Sequence, residues 1–269
     1  MLKQRVITAL ILAPLALWGI WQLSTESFAF AMALIFLLGA WEWSRLSGLH
    51  KRPGRTIYSA MLAAMMYGVY LLLQVDNWIL VILVIALMWW TLGLMTVLTY
   101  PQSGTLWQSA AARGAAGVFI MLPAWAAIVM LHQEFGAGYV ILLVMLIWGA
   151  DTGAYFAGRT FGRHKLAARV SPGKTWEGVF GGMALALAIS VVGAYWLGAA
   201  GNIPLFLLIV LLTVAISVLG DLIESLFKRI ANLKDSGGLL PGHGGVLDRI
   251  DSLTAAAPMF TLGLIWLSR

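Results

Sequence analysis

Nine separate stretches of about twenty predominantly apolar residues run through the sequence, at 5–23, 27–46, 57–75, 78–99, 115–132, 138–158, 176–198, 203–225 and 252–268. Nothing else in it restricts the fold as much. An α-helix of about 20 residues covers the hydrocarbon core of a bilayer. Inside that core every backbone N–H and C=O must find its partner within the chain. The predicted fold is therefore all-α: a polytopic integral membrane protein with about nine transmembrane helices. Composition agrees, with 61% hydrophobic and 10% charged residues against about 25% charged in soluble domains. The chain has no Cys, which excludes disulfides and thiolate metal sites. Its start, MLKQRVITALILAPLALW, is basic and then apolar. No small-residue cleavage site follows, so this stretch is read as a retained first helix rather than a signal peptide.

The connections between spans fall into two alternating kinds. Ser24-Thr25-Glu26, Val75-Asp76-Asn77 and Gly201-Asn202 are short polar turns, whereas the others are longer and basic. With the N-terminus in the cytoplasm, every one of the 17 Lys and Arg residues except Arg269 falls on the cytoplasmic side. The positive-inside rule expects this bias, and a wrong number of spans would have scrambled it. The expectation is a multi-pass protein of the cell inner membrane with a cytoplasmic N-terminus and a periplasmic C-terminus. The net charge of +6 then follows from topology and attraction to anionic lipid, and no nucleic-acid partner is expected. By content the chain divides into helices of scaffold character, 1–135, which could also make dimer or lipid contacts, and a catalytic region, 136–269. That region carries cytoplasmic loops at 159–175 and 226–250. No internal repeat is visible, which counts against a transporter built from two related halves.

Two cytoplasmic segments carry the chemistry. The first contains Asp151 within an apolar helix, then Gly158 to Lys165, then Ser171-Pro-Gly-Lys174-Thr175-Trp-Glu177-Gly178. A charge such as Asp151 costs about 2.5–3.5 kcal/mol at a helix centre on the insertion scale, so it is expected to face a wet cavity or the bundle interior with a partner. Either a polar helix–helix contact or a functional role accounts for it. Gly173-Lys174-Thr175 does not make a P-loop, because Ala168 stands where that motif needs its first Gly. Two readings remain. Ser171 or Thr175 begins the seventh helix and Lys174 sits beside helix N-terminal amides that can hold phosphate. Alternatively the segment is an ordinary helix start, with Pro172 in the first turn and Glu177 completing a capping box.

The second segment runs from Asp221 to Ser252. At helical spacing Asp221, Glu224, Ser225 and Lys228 share one face, and Asp248, Asp251 and Ser252 share a face of the next helix. A loop rich in Gly and charge joins them. Two carboxylate-bearing helix ends joined in this way can hold a hard cation against phosphates, since Mg²⁺ takes one or two carboxylates plus phosphate oxygens and water. Lys228, Arg229, Lys234 and Arg249 would neutralise the remaining phosphate charge. Snorkelling explains Lys228 and Arg229 tolerably well, but not why Asp221 and Glu224 stand towards the end of an apolar span or why Asp248 and Asp251 open another. His243, a single His between Gly242 and Gly244, is a poor zinc candidate and is read as a substrate contact or a loop-shaping residue.

At this segment the sequence resembles a known family. Ser225-x-Phe227-Lys228-Arg229, then Lys234-Asp235-x-Gly237, then Leu240-Pro241-x-His243-Gly244-Gly245-Val246-x-Asp248-Arg249-Ile250-Asp251 is similar to the signature of the CDP-diacylglycerol synthases, or phosphatidate cytidylyltransferases. The stretch from Asp151 to Gly178 looks like that family's other polar region, and the multi-span layout suits its bacterial members. The resemblance implies that CTP and phosphatidic acid react to give CDP-diacylglycerol and pyrophosphate. It also implies Mg²⁺, with K⁺ as a second cation able to share the site.

Carried over by position, Asp221, Asp248 and Asp251 are the expected metal ligands, with Asp235 next. Together with Lys228 and Asp235 these form the expected catalytic set. The expected substrate contacts are Asp151, Ser171, Lys174, Thr175, Glu177, Ser225, Arg229, Lys234, His243, Gly244, Gly245 and Arg249. A wet funnel with Asp151 and Asp221 near its floor would admit CTP from the cytoplasm and the lipid head group sideways. Two rivals remain. The membrane CDP-alcohol phosphotransferases have an Asp-Gly pair followed by Ala-Arg, whereas Ser252 follows Asp251 here. An ion-coupled transporter would use the intramembrane carboxylates as a cation path. Gly149-x-x-x-Gly153 and Gly178-x-x-x-Gly182 would let helices approach closely, within the chain or in a homodimer.

Overall fold

The computed structural model describes residues 2–75, 78–198, 202–238 and 244–268, with side chains from residue 10 onward. Among them run nine α-helices at the places the apolar stretches mark: α1 (Leu2–Gln22), α2 (Thr25–Leu46), α3 (Arg52–Leu73), α4 (Trp78–Leu98), α5 (Ala110–Phe135), α6 (Ala137–Phe161), α7 (Trp176–Leu197), α8 (Ile203–Ile230) and α9 (Leu247–Leu267). Eight of these are long and apolar enough to cross a membrane, and α1 contributes the shorter apolar stretch Leu10–Gln22 among its described side chains. The chain is thus a nearly all-α protein of multi-pass membrane type.

Local sequence sets the helix ends. Ser24, Ser109 and Asn202 accept the Ser27, Ala112 and Leu205 N–H groups and so cap α2, α5 and α8, as short polar side chains do at helix starts. Gly136 and Gly198, with φ of 84° and 64°, stop α5 and α7, where a side chain would be strained. The two charged helices run further than the apolar pattern indicates. The eighth extends to Ile230 and the ninth begins at Leu247, so Lys228, Arg229, Asp248 and Arg249 stand on helical turns and not in the loop expected at 226–250.

Two further departures concern the connection between α6 and α7. An antiparallel hairpin, β1 (Lys165–Ala167) with β2 (Ser171–Thr175), occupies it, with Lys165 opposite Thr175 and Ala167 opposite Ser171. The all-α expectation therefore fails at this point, and Ser171 and Pro172 lie in a strand rather than in the first turn of a helix. Gly173, within β2, has nothing within 4 Å of an added Cβ, so space does not require a glycine there. The second departure is that Glu177 does not complete a capping box. It is the second residue of α7, one position short of the capping-box site, and its carboxylate turns to His164 instead, at 2.6 Å from Nδ1 and 3.2 Å from the backbone N–H. Thr175 alone caps the helix, accepting the Gly178 N–H at 3.1 Å.

Helices α5 and α9 are the most enclosed of the spans, and α5 packs against α2, α4 and α9. The connections alternate between the two ends of the bundle. At one end Arg113 donates to the Ser47 and Trp107 carbonyls, Arg169 to Tyr100 O, and Arg229 to Val170 O. The segments after α2, α4, α6 and α8 therefore meet. At the other end His132 contacts Thr25 Oγ1 and Ile20 O, and Trp21 stacks with Trp196 at 6.0 Å.

Helices α6 and α7 form the closest pair, and their glycines explain it. A Cβ on Gly153 would meet the Gly181 carbonyl, one on Gly182 the Ala150 carbonyl, and one on Gly178 the Ala154 carbonyl. Both small-residue pairs read in the sequence as able to serve a dimer are thus spent on packing within the chain. Gly153→Val is expected to cost about 1–3 kcal/mol by overpacking, seen as a lower unfolding midpoint in detergent. Gly68→Ala on α3, where nothing lies within 4 Å, is expected to leave the midpoint unchanged or raise it.

Candidate active site

Close approach of α6 and α7 leaves a cleft where α8 passes them. It has a volume of about 490 Å³ and is lined by Asp151, Tyr155 and Arg159 of α6, Lys174 and Thr175 of β2, Gly178 and Gly182 of α7, and Val214, Val218 and Asp221 of α8. Its walls are thus part apolar and part charged. Lys174 Nζ stands 2.7 Å from Asp221 Oδ2, with about a quarter and a third of the two side chains exposed. That ion pair ties the hairpin to α8. Asp151 and Asp221 both line the cleft. Arg159 lies at its lining with its guanidinium donating to Tyr155 Oη at 2.8 Å.

One turn further along α8, Ser225 Oγ donates to Asp221 Oδ1 at 3.2 Å. Two turns along, Lys228 crosses to the neighbouring helix. Its ammonium lies 3.2 Å from Glu224 Oε1 and 2.5 Å from Asp248 Oδ1 on α9. Glu224 is 3% exposed and faces Asp251. Asp248 is held on its other oxygen by the Gly245 N–H at 2.7 Å. Gly244, with φ of +82°, supplies the left-handed turn that lets the backbone reach this carboxylate, a conformation costly for residues with a Cβ.

The structure thus brings together Asp151, Lys174, Thr175 and Asp221 in the cleft, and Ser225, Lys228, Gly244, Gly245, Asp248 and Asp251 beside it along the α8–α9 seam. Arg229 donates to Val170 O at 3.4 Å and so anchors the hairpin to α8. Ser171 sits in β2, and Glu177 turns away towards His164. Lys234 and Asp235 are exposed on the loop after α8 and form no hydrogen bond or ion pair among the described residues. Arg249, one turn before Leu253 on α9, has its partners within the fold. His243 lies outside the described residues.

The donor set of Asp221, Asp248 and Asp251 is all carboxylate oxygen, which suits a hard cation such as Mg²⁺. Among the described residues no three His, Cys, Asp or Glu side chains close into a metal cage. Both Asp221 and Asp248 already draw a lysine ammonium, so positive charge is favourable at each.

Two acidic residues were missed or underused by sequence reasoning. Glu224 was placed on the right face but given no role. Glu42 was not singled out, although a carboxylate inside an apolar span is the same signal that marks Asp151. It is 1% exposed, and it touches the loop before α9 from across the bundle.

Removing Lys228 would strand Glu224 in the interior, and breaking a buried pair this way costs about 3–5 kcal/mol. Lys228→Met is expected to lower the unfolding midpoint accordingly, and adding Glu224→Gln should recover most of the loss. Equal midpoints for the single and double variants would refute the pairing as the cause.

Comparison with known proteins covers almost the whole chain. The sequence profile of the cytidylyltransferase family matches residues 3–266. A phosphatidate cytidylyltransferase of Pseudomonas aeruginosa is 50% identical over 268 residues, spanning 99% of this chain and 97% of the relative. One of Haemophilus influenzae is 39% identical, spanning 97% and 98%, and one of Brucella suis is 36% identical, spanning 97% and 92%. A match of this extent, on a chain whose charged residues gather at one cleft and one helix seam, places it plainly: the protein belongs to the cytidylyltransferase family.

Proposed function

We propose that the protein is a phosphatidate cytidylyltransferase of the cell inner membrane, joining CTP to phosphatidic acid to give CDP-diacylglycerol and pyrophosphate. The observation that carries this reading is the convergence of the cleft and the signature segment on one helix. Asp221 pairs with Lys174 in the cleft, and Lys228, two turns along α8, holds Asp248 of α9. Full-length similarity to three enzymes of that name supports it.

In this reaction an oxygen of the phosphatidate phosphate attacks the α-phosphorus of CTP. The bond from that phosphorus to the bridging oxygen breaks, and pyrophosphate leaves with the electron pair. The attacking phosphate is already ionised at neutral pH, so no general base is required. Transfer of this kind depends on positioning and on neutralising spread charge. Lys174 would meet phosphate at the cleft, beside the start of α7, and Lys228 with Arg229 and Arg249 would supply positive charge along the seam. Thr175 and Ser225 orient the groups beside them, the first by capping α7 and the second by its bond to Asp221. Asp221, Asp248 and Asp251 would hold Mg²⁺, with K⁺ as a second cation, and the ion would neutralise the phosphates while the reaction proceeds.

The same reading gives the membrane topology. Nine crossings, with the N-terminus and the active site on the cytoplasmic side and the C-terminus in the periplasm, put CTP and the polar hairpin in one compartment. The meeting of the connections after α2, α4, α6 and α8 at one end supports it, as does the gathering of the basic residues there. Phosphatidate would enter the cleft from the bilayer, past Val214 and Val218.

Purified protein is expected to release pyrophosphate when given both CTP and phosphatidate with Mg²⁺, and to stop on chelation. Asp221→Asn and Asp248→Asn should each lower the rate at least about 10²-fold, as loss of electrostatic stabilisation does. A folded wild type that releases none would sink the assignment. The absence of Cys makes topology directly testable. Ser268→Cys should react with an impermeant maleimide on intact cells with a permeable outer membrane, and Lys234→Cys only once the inner membrane is opened. The reverse pattern would overturn the orientation.

A further inference from the structure

Helix α9 carries Asp248 and Asp251, and Asp248 accepts the Gly245 N–H just before the helix, which leaves the Leu247 N–H to find a partner elsewhere. Its N-cap residue is Val246, which makes no side-chain hydrogen bond. The first N–H groups of a helix need partners, above all where water is scarce. The partner here comes from a distant part of the chain. Glu42, near the end of α2, is 1% exposed, and its Oε2 accepts the Leu247 N–H at 2.8 Å. The same oxygen accepts Ser236 Oγ at 3.3 Å, and Ser236 is itself fully buried. A carboxylate at a helix N-terminus is also favoured by the helix dipole.

The loop is shaped to this one side chain. A Cβ at Gly237 would fall on Glu42 Oε1, and one at Gly245 on Glu42 Oε2 and Ser236 Oγ. Neither glycine has a left-handed φ, so their need for small size comes from the carboxylate and not from the backbone. Gly245 in turn donates its N–H to Asp248. A short chain of contacts therefore runs from α2 through the loop to the carboxylate that Lys228 grips.

We infer that Glu42 is a positioning residue for the nucleotidyl-transfer site. It acts as the cap of α9 from across the bundle and fixes where Asp248 and Asp251 stand. The inference rests on the cytidylyltransferase reading for its kinetic consequence but not for its structural one. Displacing reacting groups by about 1 Å can cost on the order of 10²-fold in rate.

The test uses Glu42→Ala, Glu42→Gln and Glu42→Asp in the purified full chain, with Phe36→Leu on the same helix as a packing control. Glu42→Ala is expected to lower kcat about 10²-fold while KM for CTP moves less than about threefold, because capping sets geometry and not nucleotide contact. Glu42→Gln keeps reach and an acceptor for the Leu247 N–H, and should stay within about tenfold of wild type, as loss of one charge-assisted bond permits. Glu42→Asp keeps the charge but falls short of the amide, and should be less active than Glu42→Gln. Phe36→Leu should lower the unfolding midpoint without changing kcat per folded molecule.

Amide hydrogen exchange gives a readout independent of turnover. In Glu42→Ala, or in Glu42→Asp if the alanine variant does not fold, exchange should rise at 247–249 and stay unchanged in the middle of α9. Unchanged exchange there overturns the inference, as does a kcat for Glu42→Ala within twofold of wild type. So does Glu42→Asp outperforming Glu42→Gln, or a kcat loss that Phe36→Leu reproduces. If the wild type lacks the reaction, the functional assignment fails, and exchange still decides the role of Glu42.

Discussion

One lysine ammonium holds the charged half of this bundle together. Lys228 sits between Glu224 on its own helix and Asp248 on the next, and Glu224 is almost wholly buried. Isolated charges in such surroundings are expensive, and paired ones are tolerated when geometry and further hydrogen bonds are good. Asp248 meets that condition through the Gly245 N–H. The positions of α8 and α9 relative to each other, and hence of Asp221 and Asp251, follow from this shared contact as much as from the apolar packing of Gly220 against the Asp251 backbone.

Packing supplies the second half of the arrangement. The cleft exists because α6 and α7 touch backbone to backbone through Gly153, Gly178, Gly181 and Gly182, while α8 crosses beside them. Small residues are the usual means of close approach in a membrane, where lipid competes equally well for larger apolar side chains. The hairpin then closes over one end of the pair, pinned by His164 to Glu177, by Arg229 to Val170 O and by Lys174 to Asp221. Three ties from different residues hold one short ribbon beside the cleft.

The amino-terminal helices are drawn into this site rather than standing apart from it. Trp43 donates to Arg113 O and packs at a tilt, 4.9 Å between ring centres, against Phe227 of α8, and Glu42 accepts the Leu247 N–H at the start of α9. A polar group carried on α2 thus reaches the signature loop in a single step. The division by composition into an apolar front half and a charged back half describes where charge lies along the chain, not which residues shape the site.

The sequence by itself determined that the chain is a nearly all-α protein of multi-pass type and roughly where its helices lie, because a run of about twenty apolar residues has few alternatives once water is excluded. It also drew attention to Asp151, Asp221, Asp248 and Asp251, since a carboxylate within or beside an apolar span is costly. The 225–251 segment resembles the signature of the family that the match over residues 3–266 shows. Tertiary structure decided the rest: that Lys174 pairs with Asp221 and Lys228 with Asp248, that Ser171 lies in a strand, and that Glu177 binds His164. It also decided that Glu42 supplies the cap α9 lacks. Each of these depends on which helices become neighbours, a property of contacts between residues up to 205 positions apart, and periodicity along one helix carries no information about its partner.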